Sequence, residues 1–416
     1  MNRDRLHFLL LNVGHFLDHL FTLIFATVAA LALTREWGLG YADLIAYATP
    51  GFFAFGLFSL PAGWLADKWN RDGMMAVFFV GIGLAAIATA FARTPLQVGI
   101  GLFVVGIFAA IYHPVGLAIV TAKWKNTGSR LAFNGVWGNF GVASAALLTG
   151  YLIDHGGWRA AFVAPGVVSV ILGVIYARAR WPEIVAPPVS PAVAKATDGS
   201  GTVADKATLF KISAIVFVTS AVSSIIFQST TFALPKIFDE RLQGIAVGMV
   251  DWLKAVGIAN DTNVATVVGG FAFAVFAIAS TAQLLVGRLL DRYGARPIFM
   301  TMAAVQIVFF ALMPGLHDGF ALAAAFGFMF GAFGQIPIND FMIGKMASGP
   351  FRARIYGIRY VVSFTVLAAT LPLIAFVHAQ WGFDTLFRIL ALTACVILGA
   401  VSLLPRRLPA FVPATA

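Results

Sequence analysis

Charged residues and cysteines are scarce in this sequence of 416 residues. Asp, Glu, Lys and Arg together make up 11% of it, whereas they account for about 25% of a typical soluble domain. The only cysteine, Cys395, excludes an intrachain disulfide and a cysteine-based metal site. Because 60% of the residues are hydrophobic, the composition excludes an ordinary soluble domain and indicates a membrane protein that crosses the bilayer several times.

Motifs typical of enzymes and of ATP-driven pumps are also missing from the sequence. The seven histidines lack the spacing of a zinc protease, and there is neither a nucleophile elbow nor a nucleotide-binding loop. We therefore expect that the protein is not an enzyme, that it has no cofactor or metal site, and that ATP hydrolysis does not drive it.

Long apolar runs, by contrast, recur along the whole chain. A helix needs about 20 residues to cross a hydrocarbon core of ~30 Å. Twelve runs are near this length, and we number them as spans one to twelve: 8–33, 41–65, 74–92, 96–122, 131–152, 158–177, 209–237, 264–286, 298–316, 319–344, 356–378 and 384–404. The first run is too long for the apolar region of a cleaved signal peptide and contains Asp18, so we expect it to remain as a span. The sequence predicts an all-α membrane protein with twelve transmembrane helices.

The excess of positive charge is distributed unevenly between the two sides of the predicted membrane. Of the 28 Lys and Arg residues, 20 lie in segments on the same side as the N-terminus, and Arg359 lies within span eleven. The remaining seven lie on the other side: Arg35, Arg93, Arg159, Lys236, Arg241, Lys254 and Arg388. Basic loops stay in the cytoplasm, so both termini are predicted to be cytoplasmic. The net charge of +10 therefore reflects topology, and we expect no nucleic-acid partner.

The two halves of the chain resemble each other at a nearly constant offset. The glycine and acidic–basic pair in residues 63–68 recur in residues 287–292, a shift of 224. Gly157 and the aromatic residue after it match Gly382 and its neighbour, a shift of 225. Such regularity indicates an internal repeat.

A polar segment separates the repeated halves. Residues 181–208 are rich in Pro, Ala, Ser and Gly, which is typical of a linker. The sequence thus predicts an N-terminal six-helix bundle (1–180), a cytoplasmic linker (181–208) and a C-terminal six-helix bundle (209–416). Parallel repeats of this kind are typical of transporters with a site between the halves.

The repeated loop motif carries a family resemblance. Residues 63–71 read Gly-Trp-Leu-Ala-Asp-Lys-Trp-Asn-Arg and residues 287–296 read Gly-Arg-Leu-Leu-Asp-Arg-Tyr-Gly-Ala-Arg. Both resemble the signature of the major facilitator superfamily, Gly-x-x-x-Asp-(Arg/Lys)-x-Gly-(Arg/Lys), with Asn70 and Ala295 as departures. The resemblance implies a twelve-helix transporter whose cytoplasmic gate includes Gly63, Asp67, Lys68, Arg71, Gly287, Asp291, Arg292 and Arg296. The alternative is that these residues serve folding and topology alone.

A second resemblance concerns the subfamily. Gly14-His15-Phe16 in span one and Tyr112-His113-Pro114 in span four are similar to the fosmidomycin-resistance type of efflux transporter. In that type an acidic residue follows the His-Pro pair, whereas Val115 stands there in this chain. The superfamily's antiporters have a Gly-Pro step in span five, and residues 138–141 lack the proline. The resemblance implies efflux by antiport and leaves uptake by symport open.

Span one carries polar residues near the middle of the predicted membrane. Asp18 lies about ten residues into the span, with His15 and His19 within one helical turn of it. A charged carboxylate there costs several kcal/mol unless it is protonated, paired or hydrated. Since spans one and four line the cavity in the superfamily, we expect His113 near Asp18. These four residues form a predicted proton-coupling and substrate-contact cluster, and the alternative is a structural network that joins two helices.

Five further polar residues in spans five, seven, ten and eleven are weaker candidates. Gln228, Gln335 and Asn139 are predicted to face the substrate cavity, although asparagines in spans often only bond neighbouring helices. Asp340 and Arg359 are predicted to form a pair between spans ten and eleven, with a structural or gating role.

Together these patterns favour a secondary transporter in the cytoplasmic membrane. We expect it to move a small organic solute by alternating access as a monomer in the bilayer, with proton-coupled efflux favoured. The alternatives are a proton-coupled uptake symporter of a small organic anion and a transporter-like receptor without coupled transport.

Overall fold

The computed structural model describes residues 3–124, 127–186, 206–257, 263–346 and 351–405, and the side chains of 127–128, 206–210, 343–346, 351–361 and 364 lie outside this description. All regular secondary structure in the described ranges is helical. The α-helices are α1 (Arg3–Val28), α2 (Thr34–Glu36), α3 (Tyr41–Ile45), α4 (Thr49–Lys68), α5 (Arg71–Thr89), α6 (Pro95–Ala109), α7 (Leu117–Lys123), α8 (Thr127–Ala179), α9 (Trp181–Val185), α10 (Lys206–Arg241), α11 (Gln243–Ala255), α12 (Val264–Ser280), α13 (Ala282–Tyr293), α14 (Ala295–Leu312), α15 (Asp318–Met346) and α16 (Phe351–Ser402). Two π-helical turns, Ala29–Leu33 and Tyr112–Gly116, and a 3₁₀ turn, Ala46–Ala48, interrupt the series.

Ten helical stretches in the described ranges are long and apolar enough to cross a membrane. Two of them are interrupted by a glycine with non-helical geometry, Gly157 in α8 (φ 73°, ψ 171°) and Gly382 in α16 (φ 70°, ψ −175°). Positive φ values are accessible to glycine without a steric penalty, so each long stretch consists of two helices that meet at the glycine. Counting these separately gives twelve, which confirms the predicted twelve-helix, all-α membrane fold.

The two copies of the loop motif enter the following helix by different backbone conformations. In the second copy, Gly294 has φ 80° and joins α13 to α14. In the first copy, Asn70 is extended (φ −167°), and its side chain accepts a hydrogen bond from the backbone N–H of Gly73 at 2.9 Å. Asparagine is a strong N-cap residue. The departure from glycine at this position therefore replaces a turn with a helix cap.

Backbone contacts divide the chain into two compact units. Unit 1 comprises Met1–Pro191, Phe232–Ala277 and Leu371–Ala379, and unit 2 comprises Ala192–Thr231, Ile278–Thr370 and Gln380–Ala416. Most of the predicted linker, residues 187–205, lies outside the described residues. The predicted division into bundles 1–180 and 209–416 stays a prediction.

Within unit 1, glycines allow close contact between the helices that carry the candidate site. Helix α1 packs along α8, and α4 packs against α6. A Cβ atom on Gly141 of α8 would collide with the backbone carbonyl of Phe16, and one on Gly106 of α6 would collide with that of Gly51. Small residues at such crossings let backbones approach closely, which brings the polar side chains of α1 against neighbouring helices.

Candidate functional site

The candidate site is built from α1 and the π-helical turn Tyr112–Gly116. Helix α1 carries His15, Asp18 and His19 within about one turn. Pro114 lacks the N–H group that a regular helix requires, and the chain widens around it into the π turn. This turn carries His113, so the structure brings together all four residues of the predicted cluster.

Asp18 is fully buried and faces His113. Its Oδ2 atom lies 3.4 Å from Nε2 of His113, whose side chain is 17% exposed. Neither carboxylate oxygen makes a close hydrogen bond within the described part of the chain, since 3.4 Å is beyond the usual range for a strong hydrogen bond. A buried carboxylate with one distant partner is unfavourable as an anion unless a positive charge or a proton balances it. Asp18 and His113 are therefore suited to hold a proton between them.

The three histidines of the cluster lie side by side. The ring centroids of His15 and His19 are 5.0 Å apart, those of His15 and His113 are 5.2 Å apart, and those of His19 and His113 are 5.5 Å apart. One ring nitrogen from each residue lies within 4.8 Å of the others. Imidazoles at this spacing can exchange protons or share a ligand.

His15 is held in one orientation by its surroundings. Its Nδ1 donates a hydrogen bond to the backbone carbonyl of Asn134 at 2.8 Å, because a carbonyl can only accept. Its ring stacks on Tyr112 at 4.8 Å. A Cβ on Gly138 would lie 2.6 Å from Nε2, so this glycine leaves room for the ring. The Nε2 atom is buried and makes no hydrogen bond among the described residues, which leaves its lone pair available.

A satisfied polar network supports His15 on one side. Asn134 donates from Nδ2 to Asn12 Oδ1 and to the hydroxyl of Tyr112, both at 2.9 Å. Tyr112 donates in turn to the carbonyl of Leu11 at 2.8 Å. Asn12 and Tyr112 were not predicted as site residues, although Asn12 lies three residues before His15 on the same helix face. These bonds join α1, α8 and the π turn and fix the position of the imidazole.

An aromatic pocket adjoins the cluster. It is lined by Phe21, Phe25, Phe52 and Phe55 together with small and aliphatic residues of α4 and α6. Phe55 stacks against His113 with ring centroids 6.0 Å apart. The volume of this pocket, about 20 Å³, is room for about one water molecule, so the pocket must widen before it can hold an organic solute.

The remaining predicted cavity residues are described by their own surroundings within each unit. Asn139 is half-buried on α8, and Gln228 is half-buried on α10. Gln335 is buried on α15 and donates to Gln306 Oε1 at 2.6 Å within unit 2. The side chain of Arg359 lies outside the described residues, so its pairing with Asp340 stays a prediction.

The first copy of the gate motif is exposed and internally paired. Asp67 at the end of α4 and Arg71 at the start of α5 form an ion pair of 2.8 Å across the junction of the two helices. Gly63 lies against Pro114, since a Cβ there would be 3.4 Å from the proline ring. Lys68 is exposed at the end of α4. An exposed ion pair contributes about 0–1 kcal/mol to stability, so the pair itself is no evidence for a gate. A gating role for these residues stays a prediction.

The second copy of the motif is anchored by its basic residues. Arg296 donates to the carbonyl of Ser402 at 2.7 Å, and the guanidinium of Arg292 lies 5.1 Å from the ring centre of Tyr293. Gly287 is half-buried and Asp291 is exposed on α13. A gating role for these residues stays a prediction.

A buried ionic cluster near the start of α1 was missed by the sequence analysis. Asp72 accepts hydrogen bonds from Tyr176 at 2.6 Å and from two nitrogens of Arg180 at 3.1 and 3.0 Å. Its Oδ1 lies 3.1 Å from His7 Nε2, and His7 is buried. Burial lowers the pKa of Arg180, but the hydrogen bond and charge of Asp72 outweigh it and raise that pKa overall. Asp72 therefore joins α1, α5 and α8. The position of Asp72 in the first turn of α5, directly after the loop motif, is the sequence feature that could have indicated this cluster.

A second ionic network was also missed. Asp239 pairs with Arg35 at 3.2 Å and with Lys236 at 2.8 Å. Glu240 pairs with His378 at 3.1 Å and with Lys236 at 3.6 Å. All five residues belong to unit 1. Arg35 and Lys236 are predicted from the sequence to lie on the same side of the membrane, and the network fits that prediction.

The family follows from a comparison with known sequences. The profile of the Major Facilitator Superfamily matches residues 11–259 and 242–414, which is nearly the whole chain. The chain belongs to this superfamily.

Curated relatives match one part of the chain. It is 27% identical over 148 residues to a gallate transporter of Pseudomonas putida, a match that covers 34% of this chain and 32% of the relative. It is 29% identical over 178 residues to the niacin transporter NiaP of Acinetobacter baylyi, which covers 41% of this chain and 40% of the relative. The chain thus spans about a third of the length of the first of these relatives.

Solved structures support the fold over nearly the full length. A peptide transporter in complex with sulfate superimposes with a TM-score of 0.72 at 14% identity and covers 95% of this chain and 94% of its own. A bacterial homologue of the human lysosomal transporter Spinster has a TM-score of 0.66 at 13% identity and covers 97% and 94%. At these identities the likeness shows the fold alone. The family assignment confirms the expectation of a transporter-type protein rather than an enzyme.

Proposed function

We propose that the protein is a secondary transporter that moves a small organic solute across the cytoplasmic membrane by alternating access. The observation that carries this proposal is the buried Asp18 carboxylate, 3.4 Å from His113 on a separate helical element of a superfamily transporter. We propose that Asp18, with His15, His19 and His113, couples solute movement to protons.

The coupling follows from the electrostatics of a buried pair. When the cavity opens to water, Asp18 and His113 exchange protons with that side. When it closes, a net charge on the pair becomes costly, because ionised groups in the bilayer interior are strongly disfavoured. A proton or a charged solute must then balance the site before the protein can change conformation. Asn139, Gln228 and Gln335 remain proposed contacts for the solute.

The aromatic pocket supports a class of solute. Phe21, Phe25, Phe52 and Phe55 give one side of the site flat apolar walls, while the imidazoles beside it can neutralise an anion. Gallate, niacin and 4-hydroxybenzoate, the solutes in the names of three relatives, are all aromatic carboxylic acids. An aromatic acid is therefore our first candidate solute.

Two directions of transport are supported by different observations. The resemblance of residues 14–16 and 112–114 to the fosmidomycin-resistance type favours efflux by antiport. A relative in Streptomyces alboniger is named a puromycin resistance protein. Uptake by symport is the second candidate, because residues 138–141 lack the proline of the superfamily's antiporters. A transporter-like receptor without coupled transport is the third.

We also propose a topology with two gates. The distribution of Lys and Arg supports cytoplasmic termini, so the loop motifs at residues 63–71 and 287–296 would lie on the cytoplasmic side between bundles 1–180 and 209–416. The network of Arg35, Lys236 and Asp239 would then lie on the opposite side. Gates on both sides are what alternating access requires.

The test is proton movement in proteoliposomes that contain a pH-sensitive dye. Gallate, niacin, 4-hydroxybenzoate and puromycin are applied as gradients to wild-type protein and to Asp18→Asn. We expect at least one of them to drive proton flux in the wild type, and Asp18→Asn to lose that flux while it still binds the compound. Proton movement with the solute indicates symport, and movement against it indicates antiport.

The matched control is Asp251→Asn, because Asp251 is an exposed aspartate on α11. We expect this variant to keep wild-type proton flux. Solute transport without proton flux in the wild type, or equal flux in Asp18→Asn, contradicts the coupling role of Asp18. Binding without any transport would favour a receptor.

A further inference from the structure

The three histidines of the site have the arrangement of a metal-ligand set. They come from two helical elements, and one ring nitrogen from each lies within 4.8 Å of the others. We propose that His15, His19 and His113 bind one divalent transition-metal ion of the zinc type. This proposal goes beyond the transport function, does not depend on it, and replaces the expectation from the sequence that the chain has no metal site.

A hydrogen bond to His15 and an acidic neighbour of His113 position these two rings for a metal. A metal-binding histidine usually donates its second ring N–H to a carbonyl or a carboxylate. His15 donates from Nδ1 to the carbonyl of Asn134, and its buried Nε2 makes no hydrogen bond among the described residues. An unused lone pair on a buried, fixed imidazole is costly in the protein interior, and a metal ion would satisfy it.

Asp18 supplies the second orienting contact. In carboxylate–histidine–zinc arrangements a carboxylate lies beside a metal-binding imidazole, and Asp18 lies beside His113 in this way. The Oδ2 to Nε2 distance of 3.4 Å would shorten when metal binding polarises the ring. Three neutral imidazoles leave a net charge of +2 on a divalent ion, and Asp18 halves it. A lower net charge reduces the cost of a cation in a buried site.

The geometry requires only a modest closure. Zinc–nitrogen bonds of about 2.0–2.1 Å in a tetrahedron place ligand nitrogens about 3.4 Å apart. The observed limit of 4.8 Å must therefore contract by up to ~1.4 Å on this geometry. His19 is half-buried and the His113 side chain is 17% exposed, so neither ring is fully enclosed, and the proposal requires both to move toward the fixed His15.

The donor set also selects the metal. Imidazole nitrogens suit zinc, copper, nickel and cobalt, whereas magnesium and calcium prefer oxygen ligands. Three protein ligands leave a coordination position open for water or for an oxygen atom of a solute. The same cluster could thus present a metal-bound position to the aromatic pocket.

The test uses purified full-length protein in detergent, with Co²⁺ as an optical probe and Zn²⁺ as competitor, and it requires no transport. We expect about one Co²⁺ per chain with the visible absorption of a four-coordinate site, displaced by Zn²⁺ and unaffected by Mg²⁺. His15→Ala and His19→Gln should each weaken Co²⁺ binding more than tenfold. Asp18→Asn should weaken it about 10- to 100-fold, as expected for an orienting residue.

The matched control is His155→Ala, because His155 is exposed and stacks on Tyr151 away from the cluster. It should bind Co²⁺ as the wild type does. X-ray absorption of the zinc-loaded wild type provides a measurement that does not depend on variants, and should show three imidazole neighbours at about 2.0 Å. Fewer than three imidazole neighbours, or Co²⁺ binding that survives both histidine substitutions, would overturn the proposal. Loss of proton coupling with metal binding intact would leave it standing.

Discussion

At the scale of single residues, the position of His15 depends on a glycine. A Cβ on Gly138 would lie 2.6 Å from His15 Nε2, closer than real Cβ atoms approach their neighbours. Because Asn134 holds the opposite side of the ring, His15 cannot move away without breaking that bond. We expect Gly138→Ala to keep the fold and to reduce solute transport and Co²⁺ affinity at least tenfold.

The control for this prediction lies on the same helix. Gly135 has no neighbour within 4 Å of the position where a Cβ would be, so Gly135→Ala should leave both activities unchanged. Transport rates in proteoliposomes and Co²⁺ titration measure the difference. Equal behaviour of the two alanine variants would mean that the position of His15 is unimportant.

A second prediction at this scale concerns the buried carboxylate of Asp72. Replacing it with Asn would remove the anionic partner of His7 and would leave Arg180 paired with the more exposed Glu183, in a largely buried site. Breaking a buried ion pair costs about 3–5 kcal/mol. Because Asp72 is partly exposed, we expect the loss of stability in Asp72→Asn to be about 3 kcal/mol or less. Asp72→Asn should lower the Tm in detergent markedly, as followed by circular dichroism.

Asp67→Asn is the comparison, because Asp67 forms an exposed ion pair with Arg71. Its loss should change stability by less than about 1 kcal/mol. A Tm shift of similar size in both variants would show that burial around Asp72 is unimportant.

These residues also show how far the sequence could predict the site. Asp18, His15 and His19 were predicted from their helical spacing, and His113 from its place in span four. Asp72 and Tyr176 were not, because each lies at the end of an apolar run, where polar residues are ordinary. Only the packing of α1, α5 and α8 places them around His7, and side-chain register across three helices does not follow from hydropathy.

At the scale of elements, the match between the two glycines that divide α8 and α16 was predicted from the internal repeat. The offset of 225 aligned Gly157 with Gly382, and both have positive φ. The π turn around His113 was not predicted, because a proline alone does not specify whether a helix bends, ends or widens. The packing of α1 against α8 was also not predictable from the sequence. It depends on glycines such as Gly141, which do not stand out in an apolar run.

The glycine at the junction in α16 gives a prediction with an internal control. Gly382 has φ 70° and ψ −175°, a backbone conformation essentially restricted to glycine that costs another residue about 1–3 kcal/mol, so Gly382→Ala should destabilise the protein by roughly that amount. Gly399 lies within the same helix, with open space around it. Gly399→Ala should be neutral or should stabilise the helix by up to about 1 kcal/mol. Thermal unfolding in detergent compares the two, and a lower Tm for Gly399→Ala alone would refute the assignment.

At the scale of the whole molecule, the proposed topology can be tested through the single native cysteine. Cys395 is exposed and is first replaced by Ser. Lys68→Cys and Arg93→Cys are then introduced separately at the two ends of α5. We expect a membrane-impermeant maleimide to label Arg93→Cys in intact cells, and to label Lys68→Cys only after permeabilisation.

The labelling pattern of α5 also tests the second predicted bundle, because the repeat places its loop motif on the same side of the membrane. The opposite labelling pattern would invert the chain and move the loop motifs to the outer side. Labelling of both positions in intact cells would show that residues 71–89 do not cross the membrane, which would contradict the twelve-span arrangement itself.

The matching junctions at Gly157 and Gly382 also bear on the history of the chain. They are followed by Trp158 and Phe383, so the side chains have diverged while the backbone geometry has persisted. At Asn70 and Gly294 the reverse occurred, and a substitution changed the backbone of one copy only. A gene duplication explains both: the ancestral unit already contained the junction glycine, and specialisation later altered the loops. Ancestral reconstruction of a single half should therefore restore glycine at the junction with more certainty than any residue of the solute site.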